Sequence, residues 1–161
     1  MENHIIRKAN STDVKDILRL LIELAVYEKD PDAVKITEKD LLEDGFTDNP
    51  RYECFIAEFN SEIVGLAFYT PRYSTWDGKT LHLEDLVVTE NMRGKGIGLS
   101  LYKSFLKEAK KQGVNRVEWS VLDWNKPAID FYLKSGALID DYSKWKIVRM
   151  NKSLIEKFLS S

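Results

Sequence analysis

The chain has 161 residues, 43% of them apolar and 31% charged, a balance that excludes a disordered polypeptide and contains no apolar run of bilayer-spanning length. A formal charge of −2 removes the electrostatic case for nucleic-acid binding, and a single cysteine, Cys54, excludes an internal disulfide. The length suits one domain over 1–161.

Residues 4–7 read as a short strand, and Ser11 or Thr12 as the N-cap of a following helix. Val14, Ile17, Leu18, Leu21, Leu24 and Ala25 recur at helical spacing and predict one buried stripe. Thr37 caps a second, short helix through Leu41 and Leu42 to a stop at Gly45. Two β-rich runs, 52–58 and 63–69, flank the turn Phe59-Asn60-Ser61-Glu62 and predict a hairpin. A loop over 70–79 leads into a strand over 80–88. A helix from Gly96 to about Gln112 carries Leu101, Phe105 and Ala109 on one stripe, and Gly113 ends it. A strand over 116–122, a helix over 128–134 with Pro127 in its first turn, a strand over 145–150 and a helix over 153–158 complete the order. The pattern is that of a mixed α/β domain with helices covering a central sheet.

The densest chemical signal is Leu83-Glu84-Asp85-Leu86-Val87-Val88 followed by Arg93-Gly94-Lys95-Gly96-Ile97-Gly98. An apolar strand carrying two carboxylates runs into a glycine-rich turn that opens a helix. Free N–H groups at such a helix start favour an anion, and glycines let a phosphate approach the backbone. The spacing is neither that of a dinucleotide fingerprint nor that of a P-loop. In a regular strand Glu84 and Asp85 point to opposite faces and take different roles. Glu84, among apolar neighbours, is a costly carboxylate unless it has a task or a partner. Cys54 reads as a buried strand residue. His4 and His82 are too isolated to suggest a metal site. Lys107–Lys111 reads as a solvated helix face, and the N-terminus lacks the pattern of a signal peptide, so the expected location is cytoplasmic.

Arg93 through Gly98 resembles the acyl-CoA pyrophosphate loop of the GNAT superfamily of N-acetyltransferases. Within it, four stretches are similar to the diamine (spermidine/spermine) acetyltransferases: 37–46, Leu83-Glu84-Asp85, the glycine loop, and Asp123-Trp124-Asn125 with Phe131-Tyr132. The likeness runs from Ile6 to about Ile147. Ser74-Thr75 stands where the polyamine branch has an acidic residue and a proline, and so resembles the thialysine N-epsilon-acetyltransferase branch.

The resemblance implies the GNAT fold, a mixed and mostly antiparallel central sheet flanked by helices. It also implies acetyl-CoA as co-substrate, a small primary amine as acceptor, direct transfer in a ternary complex, and a homodimer. Backbone groups of Leu86, Val87 and Val88 would hold the pantetheine arm and polarise the thioester. Arg93, Gly94, Lys95, Gly96, Ile97, Gly98 and Leu99 would take the pyrophosphate, with Arg93 adding a contact or facing solvent. Asn125 would bind the cofactor or cap its helix. Glu84 would be the general base and Tyr132 the general acid. Asp85 would attract the ammonium or close an ion pair. Tyr27, Glu28, Ser74, Thr75 and Trp76 would line the amine site. Trp119, Trp124 and Trp145 are expected as packing residues. Alternatives are a spermidine/spermine acetyltransferase proper, a protein or peptide acetyltransferase, and an acyl-CoA-sensing module without turnover.

Overall fold

The computed structural model describes residues 4–140 and 147–160. They fall into two compact units, one within 1–122 and one within 123–161.

The first unit is built on a five-stranded sheet in the order β1 (Ile5–Lys8), β2 (Glu53–Phe59), β3 (Glu62–Ser74), β4 (Gly78–Val88) and β5 (Arg116–Glu118). The first four strands are antiparallel to their neighbours, and β5 runs parallel to β4. Ile17, Leu20 and Leu21 of α1 (Val14–Tyr27) and Leu41 of α2 (Glu38–Gly45) close a core with Cys54, Ile56, Leu66, Phe68 and Val87 on one face. On the opposite face Tyr69 meets Phe105 of α3 (Ile97–Gln112) at 5.3 Å between ring centroids. The expected stripe Leu101, Phe105, Ala109 is fully withdrawn from solvent there. The result is the mixed, mostly antiparallel sheet with flanking helices that the resemblance implied.

Local chemistry explains most boundaries. Thr37 and Asp40 cap α2 reciprocally, the threonine hydroxyl accepting from Asp40 N and the aspartate accepting from Thr37 N. Asn60 and Ser61 both sit at positive φ, 50° and 63°, the backbone that a two-residue hairpin turn requires. Ahead of α1 the cap is Asn10 rather than Ser11 or Thr12: residues Ser11–Asp13 form a 3-10 turn boxed by Asn10 and Asp13, and α1 begins after it. Asp13 is buried, and Arg7 meets it at 2.8 Å.

Three other expectations are corrected. The loop over 70–79 is mostly strand: β3 continues to Ser74 and β4 starts at Gly78. Pro71 is tolerated because β3 has no β2 partner beyond Tyr69. The strand expected over 116–122 pairs only through Glu118. The strand expected over 145–150 is absent from its described part, where 147–150 have no ladder partner among the described residues; Trp145 lies outside them.

The second unit contains α4 (Lys126–Lys134) and α5 (Lys152–Leu159). Asn125 caps α4 with Pro127 in the first turn, and Asn151 caps α5, its Oδ1 accepting from Leu154 N at 2.9 Å.

Candidate functional site

The centre of the site is a β-bulge in β4. Asp85 stands opposite Phe68 and Leu83 opposite Tyr69, so β4 spends two residues, Glu84 and Asp85, where β3 spends one step. The bulge breaks the alternation expected of a regular strand. His82, Glu84, Asp85 and Val87 therefore share the face that carries α1 and α2, and Glu84 and Asp85 line one cavity of about 330 Å³. The expectation that the two carboxylates face opposite sides is overturned by this single extra residue.

Within that cavity the carboxylates differ. Glu84 is half exposed, with 46% of its side chain accessible; its Oε1 accepts from the Thr70 hydroxyl at 3.2 Å and its Oε2 lies 3.9 Å from His82 Nε2. It is thus not the desolvated carboxylate that its apolar strand suggested. Asp85 is that group: burial, then the charges of Glu28 and Glu84, push its carboxyl up to about 6. Glu28 caps the C-terminus of α1, its backbone N–H bonded to Leu24 O, and burial raises its own pKa. Asp85 thus senses one carboxylate from its own strand and one from the end of α1. An arriving ammonium would relieve that repulsion and lower the cost of ionising Asp85.

The wall between α1, α2 and the sheet is apolar, from Leu21, Ile36, Leu41, Tyr52 and Phe68. Tyr52 is buried and donates its hydroxyl to Leu41 O at 2.6 Å, which satisfies the polar atom inside the wall. Asp40, Asp44 and Arg51 complete the lining. Thr70, His82 and Arg51 have no local sequence signature; only the fold brings Thr70 and His82 to Glu84 and Arg51 into the cavity lining. The buried Nδ1 of His82 has no hydrogen-bond partner among the described residues.

Past the bulge, β4 runs on through Leu86, Val87 and Val88, each paired with β3. On its other side β5 pairs only with Thr80 to His82, so among the described residues no strand covers that edge beyond His82. Unpaired main-chain groups on such an edge can bond an extended ligand. The glycine loop follows. Gly94 and Gly96 have φ of 76° and 80°, and a Cβ on either would meet nothing within 4 Å. Helix α3 starts at Ile97 with no side-chain cap on its first N–H groups. An open cradle at the uncapped start of a 16-residue helix fits a pyrophosphate. Arg93 folds back instead: its Nε donates to Val88 O at 2.9 Å, and its guanidinium stacks 4.7 Å over the Tyr27 ring.

Ser74, Thr75 and Trp76 form the β3–β4 hairpin tip and are not among the residues lining the carboxylate cavity. The Ser74 hydroxyl accepts from Trp76 N and Asp77 N and so organises that turn, while Trp76 is 81% exposed. Trp119 packs edge-on against Tyr102 as expected, but Trp124 is 39% exposed. In the second unit Asn125 Oδ1 accepts from Ala128 N at 3.4 Å, the capping role weighed for it. Tyr132 is buried, and its ring diverges from Phe131 by 66°.

The model of the acetyltransferase (GNAT) family matches residues 15–137. Among curated proteins, the chain is 43% identical over 141 residues to the thialysine N-epsilon-acetyltransferase of Bos taurus, covering 83% of each. It is 33% identical over 159 residues to that of Caenorhabditis elegans, covering 98% of each. Among solved structures, an integron cassette protein from the mobile metagenome of V. cholerae superposes with a TM-score of 0.78 at 24% identity, over 100% of this chain and 99% of that one. That last likeness speaks for the fold.

Proposed function

We propose, from the premise that this chain belongs to the acetyltransferase (GNAT) family, that it acetylates a small lysine-like or diamine substrate at a primary amine by direct transfer in a ternary complex. Acetyl-CoA-dependent N-acetylation of an amine is the family's activity. The identity of the relatives, thialysine enzymes by name, supports the narrower acceptor class. The observation that carries the reading is that Glu84 and Asp85 line one cavity on the strand that leads into the glycine loop, with Glu28 at the end of α1 close enough for Asp85 to feel its charge.

Acetyl-CoA supplies an activated acyl group and a thiolate leaving group. The glycine loop and the first N–H groups of α3 would hold its pyrophosphate, and the open edge of Leu86 to Val88 would align the acyl arm. An alkyl ammonium with pKa near ~10 must lose a proton before its nitrogen can attack the carbonyl. Glu84 receives that proton, directly or through one water, and its half-exposed carboxylate passes it to solvent. Asp85 and Glu28 hold the ammonium beforehand. As the C–S bond breaks, Tyr132 would give the departing sulfur a proton or a hydrogen bond, and the second proton that the nitrogen sheds on becoming an amide would restore the balance.

One observation favours a second reading of the carboxylates. Asp85, pushed up to about 6, is better matched to a base working near neutrality. The two readings part on substitution: loss of turnover with retained amine KM in Glu84→Gln assigns the base to Glu84, and the same pattern in Asp85→Asn assigns it to Asp85.

The overall reading is tested by following CoA release with thialysine, lysine, spermidine, spermine and a simple diamine at matched concentrations. Highest kcat/KM with thialysine or lysine supports it. Preference for spermidine keeps the chemistry and replaces the acceptor. Tight acetyl-CoA binding without turnover of any amine removes the small-amine reading.

A further inference from the structure

Resting on the amine reading above, the geometry points to a second subsite in the same cavity: Asp44 and Arg51 read the α-ammonium and α-carboxylate of a free amino-acid acceptor. Two observations carry it.

The cavity takes its polar groups from the two sides of β3, with an apolar wall of Leu21, Ile36, Leu41, Tyr52 and Phe68. Glu84 and Asp85 come from β4 on one side. Arg51 enters just before β2 on the other, with Asp44 near the end of α2 bonded beside it. The cavity volume of about 330 Å³ falls at the small end of the range for small-molecule sites, ~300–1,000 Å³. A short aliphatic chain with a charged group at each end matches that layout.

The β2 side carries both signs. Arg51 Nε lies 3.4 Å from Asp44 Oδ1, and the backbone N–H of Arg51 bonds Asp44 O at 2.8 Å, which fixes the two residues side by side. The guanidinium keeps most of its five donors, with 81% of the side chain exposed. Asp40, the other carboxylate there, is committed to the α2 cap, its Oδ2 accepting from Thr37 N at 2.8 Å and Thr37 Oγ1 at 2.7 Å. A neighbouring carboxylate and guanidinium are the mirror of an amino acid's ammonium and carboxylate.

The arrangement discriminates. A polyamine brings its second cation to a side where Arg51 repels it, whereas an amino-acid head finds a partner for each charge. Because this side is solvent-exposed, the effect belongs to the range of surface ion pairs, a factor of about five in kcat/KM for each charge pair.

The test compares acceptors that differ by one group. Lysine and 1,5-diaminopentane differ only in the carboxylate, and lysine and 6-aminohexanoate only in the α-amino group. Wild-type kcat/KM should favour lysine over both. The lysine-to-diaminopentane ratio should fall about five-fold in Arg51→Gln and further in Arg51→Glu. The lysine-to-aminohexanoate ratio should fall in Asp44→Asn. A misfolded variant lowers both members of a pair together and leaves the ratios alone, so the ratios read the subsite itself. Wild-type ratios at or below one, or ratios unmoved by the Arg51 substitutions, overturn the subsite while leaving amine acetylation intact. Turnover of none of the three overturns the subsite and the small-amine reading together.

Discussion

Glu84 and Asp85, adjacent in the chain, lie on the same face of the sheet because a bulge in β4 sets both against a single step of β3. The carboxylates keep different surroundings all the same. Glu84 reaches solvent and the Thr70 hydroxyl, while Asp85 is withdrawn and feels Glu28 as well as Glu84. Two acids with one address and two environments suit a reaction that must both hold an ammonium and deprotonate it.

The first prediction concerns activity against pH. If Asp85 holds the amine as proposed, it must be ionised to do so, and burial with the charges of Glu28 and Glu84 pushes its carboxyl up to about 6. Amine kcat/KM should therefore fall as pH drops through 6. Glu28→Gln removes the larger of the two repelling charges, so the acidic limb should move to lower pH. A limb that stays in place in that variant would separate Asp85 from the pH dependence.

Stability should carry the opposite sign. A carboxyl whose folded pKa is raised from 3.8 to about 6 binds its proton more tightly in the folded chain. Its contribution is absent below about 4, and it lowers stability as pH rises from there through 6, by roughly 2–3 kcal/mol once fully ionised. Asp85→Asn should raise Tm relative to wild type at pH 7 and leave it nearly equal at pH 4. Thermal denaturation at the two pH values decides it.

The glycine loop separates folding from ligand approach. Gly96 holds φ at 80°, so Gly96→Ala should cost about 1 kcal/mol of stability whether or not a ligand binds. Gly98 lies inside α3, where a Cβ would make an ordinary 3.7 Å contact with Val88 Cγ2. Gly98→Ala should therefore leave Tm unchanged or slightly higher. If the pyrophosphate sits against this turn, both variants should raise the acetyl-CoA Kd, measured by titration calorimetry, and Gly98→Ala shows the effect free of strain.

Tyr132→Phe should lower turnover by about 100-fold while acetyl-CoA binding is retained. Equal loss of turnover and binding would reassign the buried ring to packing in its own unit.

The sequence was most informative where the chemistry is local. Thr37 with Asp40, Gly113 after α3 and Pro127 in α4 mark helix ends through contacts of three or four residues, and all three stand where the pattern put them. The glycine loop was legible for the same reason. What strand periodicity could not reveal was the bulge, because an extra residue in β4 is defined by its register against β3 and leaves no mark in the run Leu83 to Val88. That one insertion brings Glu84 and Asp85 onto the same face, and it is the reason Asp85 rather than Glu84 is the desolvated acid. Only the sheet's assembly brings Arg51, just before β2, into the cavity lining and His82 of β4 beside Glu84. Pro71 misled in the other direction, reading as a loop where an unpartnered side of β3 accommodates it.

The buried cysteine has a practical consequence at the bench. Cys54 is fully enclosed beneath α1, and burial pushes its thiol up to about 12, so at neutral pH it offers almost no thiolate to an electrophile. Coenzyme A liberated by turnover is then the only reactive sulfhydryl in an assay mixture of this protein, acetyl-CoA and a simple amine. A chromogenic disulfide can therefore count catalytic events in real time with the folded enzyme as a silent background. A signal from the protein alone would report that the core around Cys54 had opened.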